Sequence, residues 1–302
     1  MDNTKRKVEE LMTAIDRIVD SRESKADLFG FDEVKGKPDM LIEKKHRDFA
    51  NGSVYCFALE DGKLIESTDT FLPFYTKDAI GKKQNKLDNY ELGDRTERWM
   101  IGISCMSGCP VRCKFCATGN MKAKYRNLTA EEMVEQVDWI RNLHPEIDTN
   151  KCKEFKVNMT RMGEPALNWE EVQRAAKILQ EKYPNVHIYV STIGVKGTDF
   201  SWIKGNVTLQ ISLHSFDEDH RNWLIPYKNK MTLEELGQIR TESNLKTTVN
   251  MTLVDENDFD LNLLEKYFDK EHFFIKLSPI NKNEVSEANG MGDGVIEGIN
   301  LV

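Results

Sequence analysis

Three of the chain's six cysteines fall within eight residues, in the run Cys109-Pro-Val-Arg-Cys113-Lys-Phe-Cys116. Thiolates at this spacing can wrap a loop around one face of a cubane [4Fe-4S] cluster and satisfy three of its irons. The next histidine, His144, lies well downstream, so the fourth iron would stay open to a small ligand. A structural zinc site wants a further Cys or His at close spacing to complete its tetrahedron. Three buried free thiols are the plainer alternative, but the surrounding loop is polar and basic. The cluster is the reading that these residue types favour.

Four more motifs could do chemistry. Arg161-Met-Gly-Glu-Pro165 places a carboxylate beside a glycine, where the backbone can approach a ligand and the carboxylate can accept from an ammonium. Ser191-Thr-Ile-Gly194, Ser212-Leu-His214 and Ser278-Pro-Ile-Asn281 supply hydroxyls, an imidazole and an amide. Singly, each reads as a turn, an N-cap or a satisfied histidine. Together, on successive strand ends behind a cysteine loop, they point to one pocket.

The elements that must position them alternate from residue 99 onward. Strand-like runs at 99–104, 154–159, 186–191, 207–212, 246–253 and 273–278 are separated by helical stretches at 129–143, 169–182, 198–204, 232–243 and 260–270. Thr129-x-x-Glu132 and Thr232-x-x-Glu235 are capping boxes that open two of those helices. Short strands alternating with helices imply a parallel sheet covered by helices. Six such units are too few to close an eight-stranded barrel, so the expected fold is α/β, a partial (βα)6 TIM-like barrel. Sites in such folds lie at the carboxyl ends of the strands.

Residues 1–98 are expected to form a small N-terminal α+β module, possessing a helix and a hairpin, ahead of a barrel at 99–302. Val8, Leu11, Met12, Ile15, Ile18 and Val19 share one face of a helix over 7–20. Glu60-Asp61-Gly62 lies between the strand-like runs 53–59 and 63–67 and is a hairpin signal. Residues 76–98 are polar and read as a long loop.

The composition, 39% hydrophobic and 30% charged, is that of a globular protein, and the net charge of -8 gives no global case for nucleic acid. The distribution is more informative. Lys35, Lys37, Lys44, Lys45 and Arg47 gather before residue 50, and Lys77, Lys82, Lys83 and Lys86 follow, whereas the chain is acidic from Asp255 on. The basic stretches could hold a phosphate backbone or be solvated loops. No apolar run approaches the roughly 18 residues that span a bilayer, and the first residues lack a signal peptide's apolar core. Unevenly spaced cysteines argue against a disulfide framework, so a reducing, cytoplasmic setting is expected.

The CxxxCxxC run, with Phe115 before its last cysteine, resembles the signature of the radical S-adenosylmethionine (SAM) superfamily. That resemblance implies that SAM chelates the open iron through its amino and carboxylate groups. The reduced cluster then breaks its sulfonium bond to give methionine and a 5′-deoxyadenosyl radical. The wider set of motifs resembles the RlmN/Cfr family, which methylates adenine rings in ribosomal and transfer RNA. The match runs from about Val54 to Asn281 and takes in the hairpin through Glu66, Arg126-Asn-Leu-Thr129, Met162-Gly-Glu-Pro165 and Ile211-Ser-Leu-His214. By that resemblance Gly163, Glu164, Ser191, Ser212, Leu213, His214 and Asn281 contact SAM. Glu66 stands where the family has its proton-accepting carboxylate, a solvated strand residue being the alternative. The resemblance also implies an RNA partner met through the basic N-terminal third, and an electron donor such as flavodoxin or ferredoxin.

Two features depart from the family pattern. Its members carry a methyl-accepting cysteine near the C-terminus and a resolving cysteine shortly before the cluster motif. Here no cysteine follows Cys152, and Cys105 stands only four residues before Cys109. Cys105 is the candidate substitute carrier; otherwise Cys56, Cys105 and Cys152 are small buried apolar residues. Two alternatives therefore stand beside an RNA-modifying enzyme. One is a radical SAM enzyme acting on a small metabolite or peptide without methyl transfer. The other is a non-catalytic RNA-binding or metal-sensing protein.

Overall fold

Strict alternation of side chains builds the sheet on which the molecule rests. The computed structural model describes residues 40–72, 93–121, 124–252, 254, 258–278, 280 and 283–291. Three antiparallel strands come first: β1 (Leu41–Phe49), β2 (Gly52–Leu59) and β3 (Leu64–Phe71). The later large strands are β4 (Arg98–Ile103), β7 (Glu154–Met159), β8 (Val186–Thr192), β10 (Val207–Ser212), β12 (Thr247–Thr252) and β13 (Phe273–Ser278). The nine form one sheet in the order β1-β2-β3-β4-β7-β8-β10-β12-β13, and the two-residue strands β9 (Lys204–Gly205) and β11 (Glu242–Ser243) pair with each other apart from it. From β4 onward each neighbouring pair is parallel, which gives the six strands of a partial barrel. The expected hairpin forms, with Gly62 at φ 78° donating to the Leu59 carbonyl at 2.8 Å. β3 pairs with β4, so the N-terminal strands and the barrel share one continuous sheet.

One face of this sheet is dry. Ile101, Val157, Ile188, Leu209, Ile211 and Val249 have no exposed surface. Against them pack α1 (Ala130–Asn142) and α2 (Trp169–Lys182), whose Met133, Val137, Val172 and Leu179 are equally buried. Thr129 caps α1 through the expected capping box. The second expected box, Thr232 with Glu235, opens a helix that runs only over Leu233–Gly237. Its last residue, Gly237, lies under the Tyr267 carbonyl, which a Cβ there would approach to 2.2 Å.

Other expectations change. The helix expected at 198–204 is absent: Asp199 instead accepts from the Ser201 N–H in a tight turn, with Gly197 at φ 84° before it and Gly205 at φ 58° after it. The third helix, α3 (Glu218–Leu224), lies where none was expected, being short and charged. Leu233–Gly237 is then α4; α5 spans Leu261–Tyr267, and a final short helix, α6, spans Glu284–Ala288. Part of the basic stretch read as loop is the edge strand β1, whose eight residues after Leu41 are all exposed. Such a charged edge discourages strand addition. The helix expected at 7–20 and most of the loop expected at 76–98 lie outside the described residues. No helix among the described residues is long and apolar enough to cross a membrane.

A buried carboxylate fastens the N-terminal strands to the barrel. Asp69 on β3 is fully buried and accepts from Arg95 through two nitrogens, from Trp99 Nε1 at 2.8 Å, and lies 2.9 Å from His144 Nε2. Asp69→Ala is expected to cost about 3 kcal/mol, because three polar partners lose their acceptor in a dry site. Urea denaturation measures it, and a loss below about 1 kcal/mol would contradict this account.

Candidate functional site

The cysteine loop is a closed excursion from the carboxyl end of β4. Its two ends pair as β5 (Met106–Ser107) and β6 (Arg126–Asn127). Within it, Cys116 N–H donates to the Cys113 carbonyl at 3.1 Å, and Asn120 Nδ2 donates to the Cys113 and Cys116 carbonyls at 3.3 and 2.8 Å. Arg112 adopts φ 59°, and Gly119 packs so close to it that a Cβ would lie 2.7 Å from the Arg112 Cα. Three distant groups hold the outside of the loop. Lys114 N–H donates to the Leu224 carbonyl at the end of α3, Asn289 Nδ2 to the Lys114 carbonyl, and Asn283 Nδ2 to the Phe115 carbonyl. Asn120, Asn283 and Asn289 were not expected at the site from the sequence. The Asn283-x-x-Ser286 capping box was the one available signal, and it marks a helix rather than a site.

The three thiols are half-buried. Burial pushes Cys109 up to about 12 and Cys113 well above its ordinary value; the nearby Glu164 carboxylate raises both further. Cys109 and Cys116 both act electrostatically on Cys113, so the three sulfurs share one neighbourhood. A thiolate in such a place needs a bound cation, and metal ligation supplies it by displacing the proton. Among the described residues no group of three or more His, Cys, Asp or Glu closes around a single ion. Three thiolates from one short loop are the donor set of a cubane cluster that keeps one iron open.

Behind the loop, the turn after β7 carries Gly163 and Glu164. Glu164 is almost fully buried; its carboxylate accepts from Ala166 N–H at 2.9 Å and from Ile193 N–H at 3.0 Å, linking the ends of β7 and β8. Burial raises its pKa, opposed by those bonds and one from Thr192. Gly163 sits at φ 107°, where a Cβ would meet Met106 Cβ at 2.6 Å. Cys105 lies in the same layer, 1% exposed, with its thiol 3.6 Å from the Met162 carbonyl. Burial also lifts this thiol well above its usual range. The geometry is that of a packing residue rather than a reachable methyl carrier.

The barrel's other face encloses a cavity of about 690 Å³. Phe115 and Cys116 of the cysteine loop border it, as do Glu66, Ser191 and Ser212. The two serine hydroxyls lie 3.2 Å apart on adjacent strands. Glu66 bonds to Arg161 Nη2, an ion pair across the cavity wall that the sequence analysis did not foresee. His214, 7% exposed, stands at φ 66° with its ring edge-on to Phe115, centroids 4.8 Å apart. Its Nδ1 accepts the Thr252 N–H at 3.0 Å, which assigns the proton of the neutral ring to Nε2. The Leu213 side chain is fully buried in the core, so it can offer a ligand only its backbone. Asn281 lies outside the described residues. Arg221, also missed, is buried behind the cysteine loop and donates to the Met231 and Ile193 carbonyls.

Two outcomes follow from this geometry. Gly163→Ala should destabilise the protein by about 1–3 kcal/mol, through both φ strain and the Met106 clash, read by chemical denaturation. An unchanged midpoint would remove the close approach from the account. Burial and the nearby Arg221 lower His214 from 6.5 to about 4. Between those values the unfolded chain binds more protons than the folded one. The stabilisation is therefore complete above about pH 6.5 and falls as pH drops toward 4, by up to about 1.4 kcal/mol per unit. His214→Asn should reduce the stability difference between pH 7 and pH 5; an identical difference in both proteins would refute the assignment.

Comparison with known proteins agrees with these features. A sequence model described as "Radical SAM superfamily" matches residues 103–267, more than half of the chain. A protein of Pseudothermotoga lettingae named "Probable dual-specificity RNA methyltransferase RlmN" is 29% identical over 254 residues, covering 80% of this chain and 65% of that protein. A protein of the same name from Chlorobium phaeobacteroides is 31% identical over 201 residues, 61% of this chain and 53% of that one. The chain thus spans less than two thirds of the length of these relatives. In structure it is similar to a radical SAM methyltransferase from Sphaerobacter thermophilus, with a TM-score of 0.58 and 25% identity over 80% of this chain and 68% of that one. Members of the matched family use a [4Fe-4S] cluster and SAM, the pair for which the cysteine loop and the neighbouring cavity are suited. The chain, an RlmN-like protein in sequence, belongs to the radical SAM superfamily of enzymes.

Proposed function

We propose that the protein is an RlmN/Cfr-like radical SAM enzyme that modifies a nucleobase in RNA. The observation that carries this reading is the shared cavity: the cysteine loop, the paired serines and the Glu66–Arg161 ion pair all face one space. Cys109, Cys113 and Cys116 would hold the cluster. Glu164 and the turn at Gly163, Ser191, Ser212, the Leu213 backbone and His214 would hold SAM. When bound, the reduced cluster would supply the electron for reductive cleavage of SAM, with Cys109, Cys113 and Cys116 holding it. The surrounding residues orient and shield: Phe115 borders the cavity with His214 packed edge-on against it, and Arg161 holds the Glu66 carboxylate in place at the cavity's edge. Glu66 would take a proton there once Arg161 releases it. Support for RNA comes from the relatives' names and from Lys44, Lys45 and Arg47, which are exposed on the edge strand continuous with the barrel.

A second reading, action on a small molecule without methyl transfer, is favoured by the burial of Cys105. Among the described residues Cys116 is the cavity's only bordering cysteine. Chromatography after anaerobic reconstitution, reduction and addition of SAM distinguishes the readings. 5′-Deoxyadenosine together with S-adenosylhomocysteine supports methyl transfer, and 5′-deoxyadenosine alone supports the second reading. Cys113→Ala should lose bound iron and 5′-deoxyadenosine together; a variant that still cleaves SAM sinks both readings. Affinity for single-stranded RNA should fall steeply with salt. Absence of RNA binding at low salt would overturn the RNA substrate.

A further inference from the structure

The layer of side chains beneath the paired serines is unlike a barrel core. Filled barrels pack their interiors with Val, Ile and Leu. Here the inward position two residues before each upper one carries Asn158, Tyr189, Gln210, Asn250 and Lys276, below Thr160, Ser191, Ser212, Thr252 and Ser278 respectively. Two residues along a strand is about 6.6 Å, so these groups form a separate, deeper floor. Lys156, two residues further down β7, joins them in lining the cavity.

The charges of this floor are unbalanced toward positive. Lys156 pairs with Glu154 at 2.7 Å and lies 5.0 Å from the centre of the Tyr189 ring. Arg98 also pairs with that same Glu154, so one carboxylate serves two cations. Lys276 has no ion pair among the described residues. The cavity's own bordering carboxylate, Glu66, is engaged by Arg161. Amides, hydroxyls and two ammonium groups thus surround a space with no free carboxylate among the described residues. That donor set suits an anion with several oxygens spread in three dimensions. It suits a planar carboxylate less well, because the one guanidinium fork is already occupied.

We infer that Lys156 and Lys276, with the amides between them, form a subsite for a phosphoryl group of the substrate. The inference rests on the nucleobase reading for its choice of probes. It places the substrate's phosphate on the floor, with SAM and the cysteine loop above it.

Calorimetric titration of the reconstituted protein at fixed ionic strength, with adenosine and adenosine 5′-monophosphate, tests this. The monophosphate should bind at least about tenfold more tightly. Lys156→Met and Lys276→Met should each remove most of that preference and leave adenosine affinity unchanged, while Lys276→Arg retains it. Circular dichroism melting confirms folding, and the exposed position of Lys276 favours tolerance of both changes there. Equal affinity for the two probes, binding of neither, or a preference that survives in both methionine variants overturns the subsite. Weakened SAM binding with the nucleotide preference intact also overturns it, by assigning the lysines to the SAM carboxylate. A single-stranded oligoribonucleotide that binds more tightly than the monophosphate, and weakens in the same variants, assigns the phosphate to an RNA chain; the reverse order assigns it to a free nucleotide. 5′-Deoxyadenosine formation without phosphate discrimination refutes the subsite alone. Phosphate discrimination without 5′-deoxyadenosine refutes the radical SAM reaction alone.

Discussion

The site depends on one buried carboxylate. Glu164 spans the ends of β7 and β8 by accepting N–H groups from Ala166 and Ile193, and its turn presses through Gly163 against Met106 at the root of the cysteine loop. A carboxylate in a dry place is costly unless its lone pairs are filled. Filling them with backbone N–H groups from two separate segments fixes those segments relative to one another. The same negative charge lies close enough to Cys105, Cys109 and Cys113 to oppose their ionisation. It therefore favours occupancy of the loop by a positively charged group over three bare thiolates.

Around that anchor the sheet divides its labour by side-chain parity. Residues of one parity make the dry core under α1 and α2, and those of the other line the cavity. The division follows from the period of a strand, so a single residue of register slip would exchange lysines and amides for valines and isoleucines. This explains how so polar an interior coexists with a firm fold: the outer face supplies the main apolar core, and a smaller cluster around Val111, Ile193 and Leu224 backs the cysteine loop.

Much of this was legible in the sequence. The cysteine spacing, the six strand runs, the hairpin and both capping boxes are local signals, and local signals survive without tertiary context. Ser191 and Ser212 could be placed at strand ends from the sequence, whereas Glu66 was suggested by the family resemblance alone; all three border the same cavity. What escaped depended on distance. The Glu66–Arg161 pair joins residues 95 apart, and Asn283 and Asn289 reach the cysteine loop across 168 and 175 residues. No periodicity records such contacts. The helix expected at 198–204 failed because a short polar run with glycines at both ends favours turns, and α3 was missed because its seven residues, three of them charged, carry little amphipathic pattern. The inward residues Asn158, Gln210 and Asn250 looked like the solvated half of amphipathic strands. Only closure of the sheet turns that half into an interior.

The side-chain amides of Asn283 and Asn289 bear on the order of assembly as well as on the finished molecule. They grip the cysteine loop from either end of α6, nearly the last element described. A ribosome releases the three cysteines long before it releases those asparagines. The cysteines are thus synthesised before their outer clasp, with five strands of the barrel lying between the two in the chain. The loop's outer clasp is therefore complete only once the chain has been made through residue 289, so the finished geometry of an early motif waits on one of the last described elements.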